Sequence, residues 1–153
     1  MKIATLGYIR KDGKTLMLHR VKKEHDMHAG KWNGLGGKLE EGETPEECII
    51  REIKEECGLT IHDPVLKGII TFPTPINNDS WYVFLFLITE FEGELIESNE
   101  GDLAWVDSDK LFDLNLWAGD KIFIQWLDQK GFFSGKFRYD GEELVEHNFQ
   151  QYL

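Results

Sequence analysis

The sequence predicts an α/β domain in which a mixed β-sheet lies between helices. Three observations carry this: a segment punctuated as a helix at both ends, "ETPEECIIREIKEECGL"; a nearly unbroken apolar run, "WYVFLFLI"; and several shorter β-rich runs on either side of them. An apolar run without alternation needs cover on both faces, and helices distributed along the chain supply it. At 153 residues, 41% hydrophobic and 12% aromatic, the chain fits one compact domain, 1–153, large enough to bury a core.

The elements follow in order. Ile3 to Arg10 and Thr15 to Arg20 are short apolar-rich runs around "KDGK", a hairpin signal. From Val21 to Gly37 the chain turns polar and Gly-rich, too irregular for an element and long enough to suspect function. Thr44 then suits an N-cap, Pro45 the first helical position, Glu47 a capping box, and Gly58 a left-handed exit. Ile49, Ile50, Ile53 and Cys57 form a stripe that should pack on the sheet. Val65 to Phe72 and Trp81 to Ile88 read as strands, the second central, and "DLAWV" as a shorter one. Leu111 to Leu114 suits a helical turn, "DKIFIQWLDQK" a helix capped by Asp120, and "GFFSGKFRYDGEEL" lies in a terminal hairpin. Repeats, low-complexity segments and linkers are absent from the sequence.

A net charge of −11 opposes a nucleic-acid groove, which gains affinity by neutralising phosphates with Lys and Arg. A phosphate ligand remains compatible through metal ions, which invert the local charge. Cys48 and Cys57, if both on one helix, lie roughly 13 Å apart at ~1.5 Å rise per residue, beyond disulfide reach. With no apolar leader or membrane span in view, the expectation is a soluble protein in a reducing compartment, most simply the cytoplasm, as a monomer or homodimer.

Between Gly36 and Thr60 the chain holds eight Glu and no Asp. On a helix, Glu52 lies beside Glu55 and Glu56, and like charges at this spacing cost a few tenths of a kcal/mol each. Two readings fit the spacing. Arg51, with Glu47 and Glu55 at helical distance, makes an exposed face laced with ion pairs; alternatively Glu52, Glu55 and Glu56 offer hard oxygen ligands, with the Gly-rich "GLGGK" bringing backbone to the same ion.

Gly37, Glu43, Arg51-Glu52-Ile53-Lys54-Glu55-Glu56 and Gly58-Leu59 fill every fixed position of the Nudix box, here residues 37–59. The chain thus resembles the Nudix hydrolases. That resemblance implies an α/β/α sandwich, Mg²⁺ or Mn²⁺, and hydrolysis of a nucleoside diphosphate linked to another group. It implies Glu52, Glu55, Glu56 and the Gly36 backbone as metal ligands, joined by Glu100 from "ESNEGDLAWV". Glu52 is favoured as the base that deprotonates water, with Glu100 as its rival, and Glu55 and Arg51 are assigned to the catalytic set. Gly37, Glu43 and Gly58 read as structural.

Within the family, "AGKWNGLGGKLEEGET", "LWAGDKIF" and the terminal "GFFSGKFRYDGEEL" resemble the oxidised-purine nucleoside triphosphatases. Carried over, Asn33 hydrogen-bonds the base, Trp117 stacks on it, Asp120 reads its edge, and Thr5, Arg20 and Leu35 face the nucleotide, Arg20 near phosphate. Each position has a structural alternative: Asn33 shaping the turn, Trp117 in the core, Asp120 capping a helix, Thr5 packing inward, Glu100 a solvated loop residue. Gly119 stands where that subfamily has a second Asp, which puts base discrimination in question. Pro73 and Pro75 in "TFPTPINN" leave an ADP-ribose or nucleotide-sugar pyrophosphatase as the alternative. A non-catalytic nucleotide sensor fits less well, because every box carboxylate is kept.

Overall fold

The computed structural model describes residues 1–22, 28–74 and 79–153; Pro75 and part of the long loop, 23–27, lie outside them. Strands β1 (Lys2–Lys11) and β2 (Lys14–His19) form the expected hairpin, with Asp12 and Gly13 at φ 53° and 74°. Two successive left-handed residues twist the turn in the sense of the flanking strands. Pairing between them is confined to the turn end, Arg10 with Thr15 and Lys11 with Lys14. Beyond that, β2 leaves to pair with β3 (Trp32–Asn33) and β8 (Asp102–Asp107).

The vacated edge of β1 is taken by the glycine-rich segment. Gly7 and Leu35 exchange backbone hydrogen bonds of 2.6 and 3.0 Å, Thr5 N–H donates to the Gly37 carbonyl at 2.8 Å, and Leu39 N–H donates to Ile3 at 3.0 Å. The sequence predicts an irregular loop here; the chain instead runs as a substitute strand. Glycine makes the approach possible: a Cβ on Gly34 would sit 2.8 Å from the Gly7 carbonyl oxygen, and one on Gly36 would run into the Thr5 carbonyl.

On its other edge β1 pairs in parallel with β6 (Trp81–Ile88), from Lys2–Trp81 to Ile9–Ile88. Outward from β6 lie β5 (Val65–Phe72), β9 (Phe132–Asp140) and β10 (Glu143–Tyr152), giving the order β10-β9-β5-β6-β1-β2-β3 with β8 also on β2. A small separate sheet joins β4 (Thr60–His62) to β7 (Glu90–Glu92), two strands too short to show a pattern in the sequence.

Helix α1 (Pro45–Cys57) covers one face and α2 (Ala118–Phe123), continued by a 3-10 turn at Ile124–Asp128, covers the other. Under α1 pack Ile9, Leu16, Leu18, Leu35, Phe86 and Ile88 with Ile49, Ile53 and Cys57. Under α2 pack Tyr8, Val83, Leu85, Phe123, Trp126, Phe133 and Phe137. Successive residues of β6 thus feed opposite cores, which accounts for its unbroken apolar character. Ile50, expected on the stripe, is 37% exposed: it sits at the margin of α1's buried face, beyond the sheet's cover. The helical turn expected near Leu111 is a 3-10 segment, Ser108–Asp113. Asp120 does not cap its helix; Trp117 holds that position without a side-chain bond, and Asp120 is buried in the first turn. Cys48 and Cys57 are buried and free. Among the described residues no helix is long and apolar enough to cross a membrane.

The entry to α1 is a complete capping box: Thr44 Oγ1 accepts from Glu47 N–H at 3.1 Å and Glu47 Oε1 accepts from Thr44 N–H at 2.9 Å. Gly58, at φ 85°, closes the helix with its N–H on the Lys54 carbonyl. Thr44→Ala should lower unfolding free energy by about 1 kcal/mol, read from the urea midpoint at unchanged m-value.

Candidate active site

Helical geometry sorts the three glutamates of α1. At 3.6 residues per turn Glu56 falls about 20° from Ile49, Glu52 about 60° and Glu55 about 120°. Glu56 is therefore pulled toward the core, Glu52 lies at its rim, and Glu55, 60% exposed, faces water. The substitute strand meets them: Gly36 N–H donates to Glu56 Oε2 at 3.0 Å, and a Cβ on Gly37 would come within 2.6 Å of both Glu52 oxygens.

Arg51 ties this face together. Its Nε and Nη2 grip Glu43 as a fork at 2.7 and 2.9 Å, Nη1 donates to Glu52 at 2.8 Å and Glu55 at 3.2 Å, and Nη2 reaches the Lys38 carbonyl at 3.1 Å. A planar guanidinium serves several carboxylates at once where an ammonium cannot. The Arg51 contact holds the Glu43 carboxyl down to about 2. Glu52 is shifted the other way, upward, because burial outweighs its bond to Arg51.

Glu100 arrives from the loop that leads into β8. The pairing of His19 with Asp102 brings the start of β8 against the end of β2, and Gly101 packs on the His19 carbonyl where a Cβ would collide. Glu100 Oε2 stands 3.7 Å from Arg20 Nη1, and its carboxyl shares a hydrogen bond with Glu56. Burial first, then this bond to a second carboxyl, raises Glu56 well above the ordinary range. Of two carboxyls this close, one is held toward its neutral form.

The donor set fits a divalent cation: Glu52, Glu56 and Glu100 supply hard oxygens, beside the Gly36–Gly37 backbone. Among the described residues no three His, Cys, Asp or Glu side chains stand close enough together to hold a metal ion by themselves, so the ion would need backbone, water or phosphate oxygens as well. An open arrangement suits ions that share their shell with water and phosphate.

Trp117 and Asp120 stand at the start of α2, on the other face of the sheet, while Asn33 in β3 pairs with Leu18, whose side chain packs on the α1 side. Lys31 Nζ donates to Asn115 Oδ1 at 3.1 Å and lies 4.9 Å from the Trp117 ring, while Asn115 Nδ2 donates to the Gly30 carbonyl, so the loop is zipped to the start of α2. Trp117 Nε1 donates to His28 Nδ1 at 2.8 Å, and its ring meets Tyr139 edge-on at 5.4 Å. Asp120, 7% exposed, is pushed up to about 7 by burial against the opposing charge of Lys31. Among the described residues, the buried Asn33 Nδ2 has no hydrogen-bond partner. An unmet buried donor costs about 1–3 kcal/mol, so a ligand or water is called for at this spot.

Two of the expected nucleotide contacts, Thr5 and Leu35, pack on the α1 side. Thr5 Oγ1 bonds to the Gly37 carbonyl at 3.3 Å and pairs with Cys48 Sγ at 3.4 Å, so it braces the substitute strand on the α1 side. Leu35, 1% exposed, packs beneath α1 and offers only backbone. Tyr139 was not singled out by sequence; it was hidden in a hairpin with no chemical signature.

A glutamate-lined helix set against a glycine strand is an arrangement that suits a divalent cation and phosphate oxygens. The chain belongs to the Nudix family: the model described as "NUDIX domain" matches residues 2–127. It is 35% identical over 151 residues to the oxidized purine nucleoside triphosphate hydrolase of Danio rerio, covering 98% of this chain and 95% of that one. It is 33% identical over 113 residues to an ADP-ribose pyrophosphatase of Methanocaldococcus jannaschii, covering 74% of this chain and 62% of that one. A crystal structure of a MutT protein from Bacillus halodurans superposes with a TM-score of 0.87 at 32% identity, covering 97% of each chain. Nudix hydrolases act on small nucleotide-type molecules and generally use divalent cations.

Glu56 gives a pH signature. Folded Glu56 holds its proton more tightly than in the unfolded chain, so its contribution to stability is full below the ordinary glutamate range and is lost as pH rises through its elevated value. In chelator, the melting temperature should fall between about pH 5 and about pH 8.5, and Glu56→Gln should flatten that slope.

Proposed function

We propose that the protein hydrolyses purine nucleoside triphosphates, oxidised ones such as 8-oxo-dGTP among them, to the monophosphate and pyrophosphate with Mg²⁺, Mn²⁺ being able to substitute. One observation carries the reading. The segment Asn33 to Gly37 has the carboxylate cluster at its glycine end and a buried, unspent donor, Asn33 Nδ2, at its other end, so one short stretch of backbone can serve a polyphosphate and a base together.

In this reading Glu52, Glu56 and Glu100, with the Gly36 backbone, hold the cations, and Glu55 stands at their exposed side. A bound divalent cation supplies Lewis-acid neutralisation of phosphate oxygens and eases deprotonation of water. Arg51 fixes the Glu52 rotamer, and Glu52 takes a proton from the attacking water; its upward shift brings its basicity nearer the working pH. Arg20, beside Glu100, faces the phosphates, so its charge is shared between the carboxylate and the substrate. Asn33 donates its unmet Nδ2 to the base and Trp117 offers a ring face.

Asp120 answers the question raised by Gly119. A lone carboxylate only accepts hydrogen bonds, but at about 7 Asp120 is substantially protonated near neutrality. A carboxylic acid presents a donor and an acceptor side by side. KM for the preferred purine should therefore rise as pH climbs through about 7, where the donor is lost. Asp120→Asn, which keeps both functions, should retain base preference better than Asp120→Ala, compared by kcat/KM across bases.

The overall test is kcat/KM for 8-oxo-dGTP, dGTP, dATP and ADP-ribose with products identified. An advantage of tenfold or more for 8-oxo-dGTP, about 1.4 kcal/mol of transition-state discrimination, supports the reading. Preference for ADP-ribose establishes the second one, which is favoured by likeness to the archaeal pyrophosphatase.

A further inference from the structure

Tyr139 sits on β9, beyond the residues 2–127 that match the family. Its hydroxyl oxygen accepts the Gly119 N–H at 2.7 Å. The closeness depends on glycine, since a Cβ at 119 would lie 2.5 Å from that oxygen. A phenol whose oxygen accepts from an amide still carries a hydrogen to donate, and the Tyr139 O–H has no acceptor among the described residues. The hydroxyl is therefore held in place by one bond and left with one unspent. Its ring stands edge-on to Trp117 at 5.4 Å and tilted against Phe72 at 6.5 Å, half-buried, so rotation is restricted. The next residue after its amide partner is Asp120, near enough for its charge to bear on the Tyr139 hydroxyl.

A fixed donor beside an acceptor matches one kind of purine edge. A carbonyl oxygen next to a ring N–H presents an acceptor and a donor in sequence, whereas an amino group next to a bare ring nitrogen presents the reverse. We propose that Tyr139 is a specificity-determining residue that donates its hydroxyl hydrogen to a base carbonyl oxygen, beside the donor and acceptor that Asp120 presents to the same edge, selecting lactam-bearing purines. This rests on the nucleoside triphosphatase reading above. It adds a residue from the terminal hairpin to the pocket, and it assigns Gly119 the task of seating that residue.

The experiment compares kcat/KM for dGTP, 8-oxo-dGTP and dATP in the wild type, Tyr139→Phe and Gly119→Ala, with melting temperatures in parallel. Tyr139→Phe keeps the ring against Trp117 and removes the hydroxyl; Gly119→Ala keeps the hydroxyl and displaces it. The wild type should favour the two lactam bases over dATP, and both variants should cut that ratio about tenfold or more, chiefly through KM. A purely structural role would lower all three substrates together and leave the ratio unchanged, which overturns the proposal. Should Tyr139→Phe fail to fold, the ratio in Gly119→Ala decides. A wild type that favours dATP overturns this inference while the triphosphatase reading stands; one that cleaves none of the three overturns both.

Discussion

The backbone pairing of Leu35, Gly37 and Leu39 with the start of β1 is the constraint on which the rest of the site depends. Because β2 departs after the hairpin turn, β1 has an open row of donors and acceptors that must be met. The glycine-rich segment meets them, and in doing so it is held straight and close under α1. Glu56 and Glu52 have a backbone surface to sit against only because no side chain lies there. Asn33 lies in β3, just ahead of the paired segment. A few ladder hydrogen bonds thus fix its position relative to the carboxylates.

Crowding like charges on one helix is tolerable here because each carboxylate has a different arrangement. Glu43 is ionised and clamped by Arg51; Glu55 is solvated; Glu52 shares Arg51 at the rim; Glu56 is buried against Glu100 and held toward its neutral form. Arg51 reaches across the start of the box to the Lys38 carbonyl, so it also ties the loop to the helix. Local strain of this kind is what a functional site imposes on an otherwise consistent fold.

What could be read from the sequence was what depends on local chemistry. The capping box, the glycine exit, the Asp12–Gly13 turn and the two-sided apolarity of β6 each follow from residues adjacent in the chain. The glutamate cluster was legible for the same reason, since one helix carries it. Side-chain direction in the glycine segment was not. A substitute strand alternates its faces, and no pattern in "NGLGGK" tells which parity meets α1; hence the packing of Leu35 beneath the helix could not be read. Asp120 read as a cap because an Asp ahead of an apolar run usually is one, yet the helix starts earlier, at Ala118, and carries it inward. Tyr139 depends on a register between β9 and β5 that only the assembled sheet reveals.

The parallel pairing of β1 with β6 has a bearing on how the molecule comes to exist at all. Parallel neighbours cannot be joined by a tight turn, so the first strand waits for a partner from the middle of the chain, Ile3 beside Tyr82 and Ile9 beside Ile88. Until that distant closure occurs, α1 has only part of its floor, and the glycine segment has no settled edge to zip onto. Loop closure over such a span delays folding relative to local hairpins. The carboxylate site therefore belongs to the late stages of folding, and a chain caught before them carries its glutamates on a helix that grips nothing.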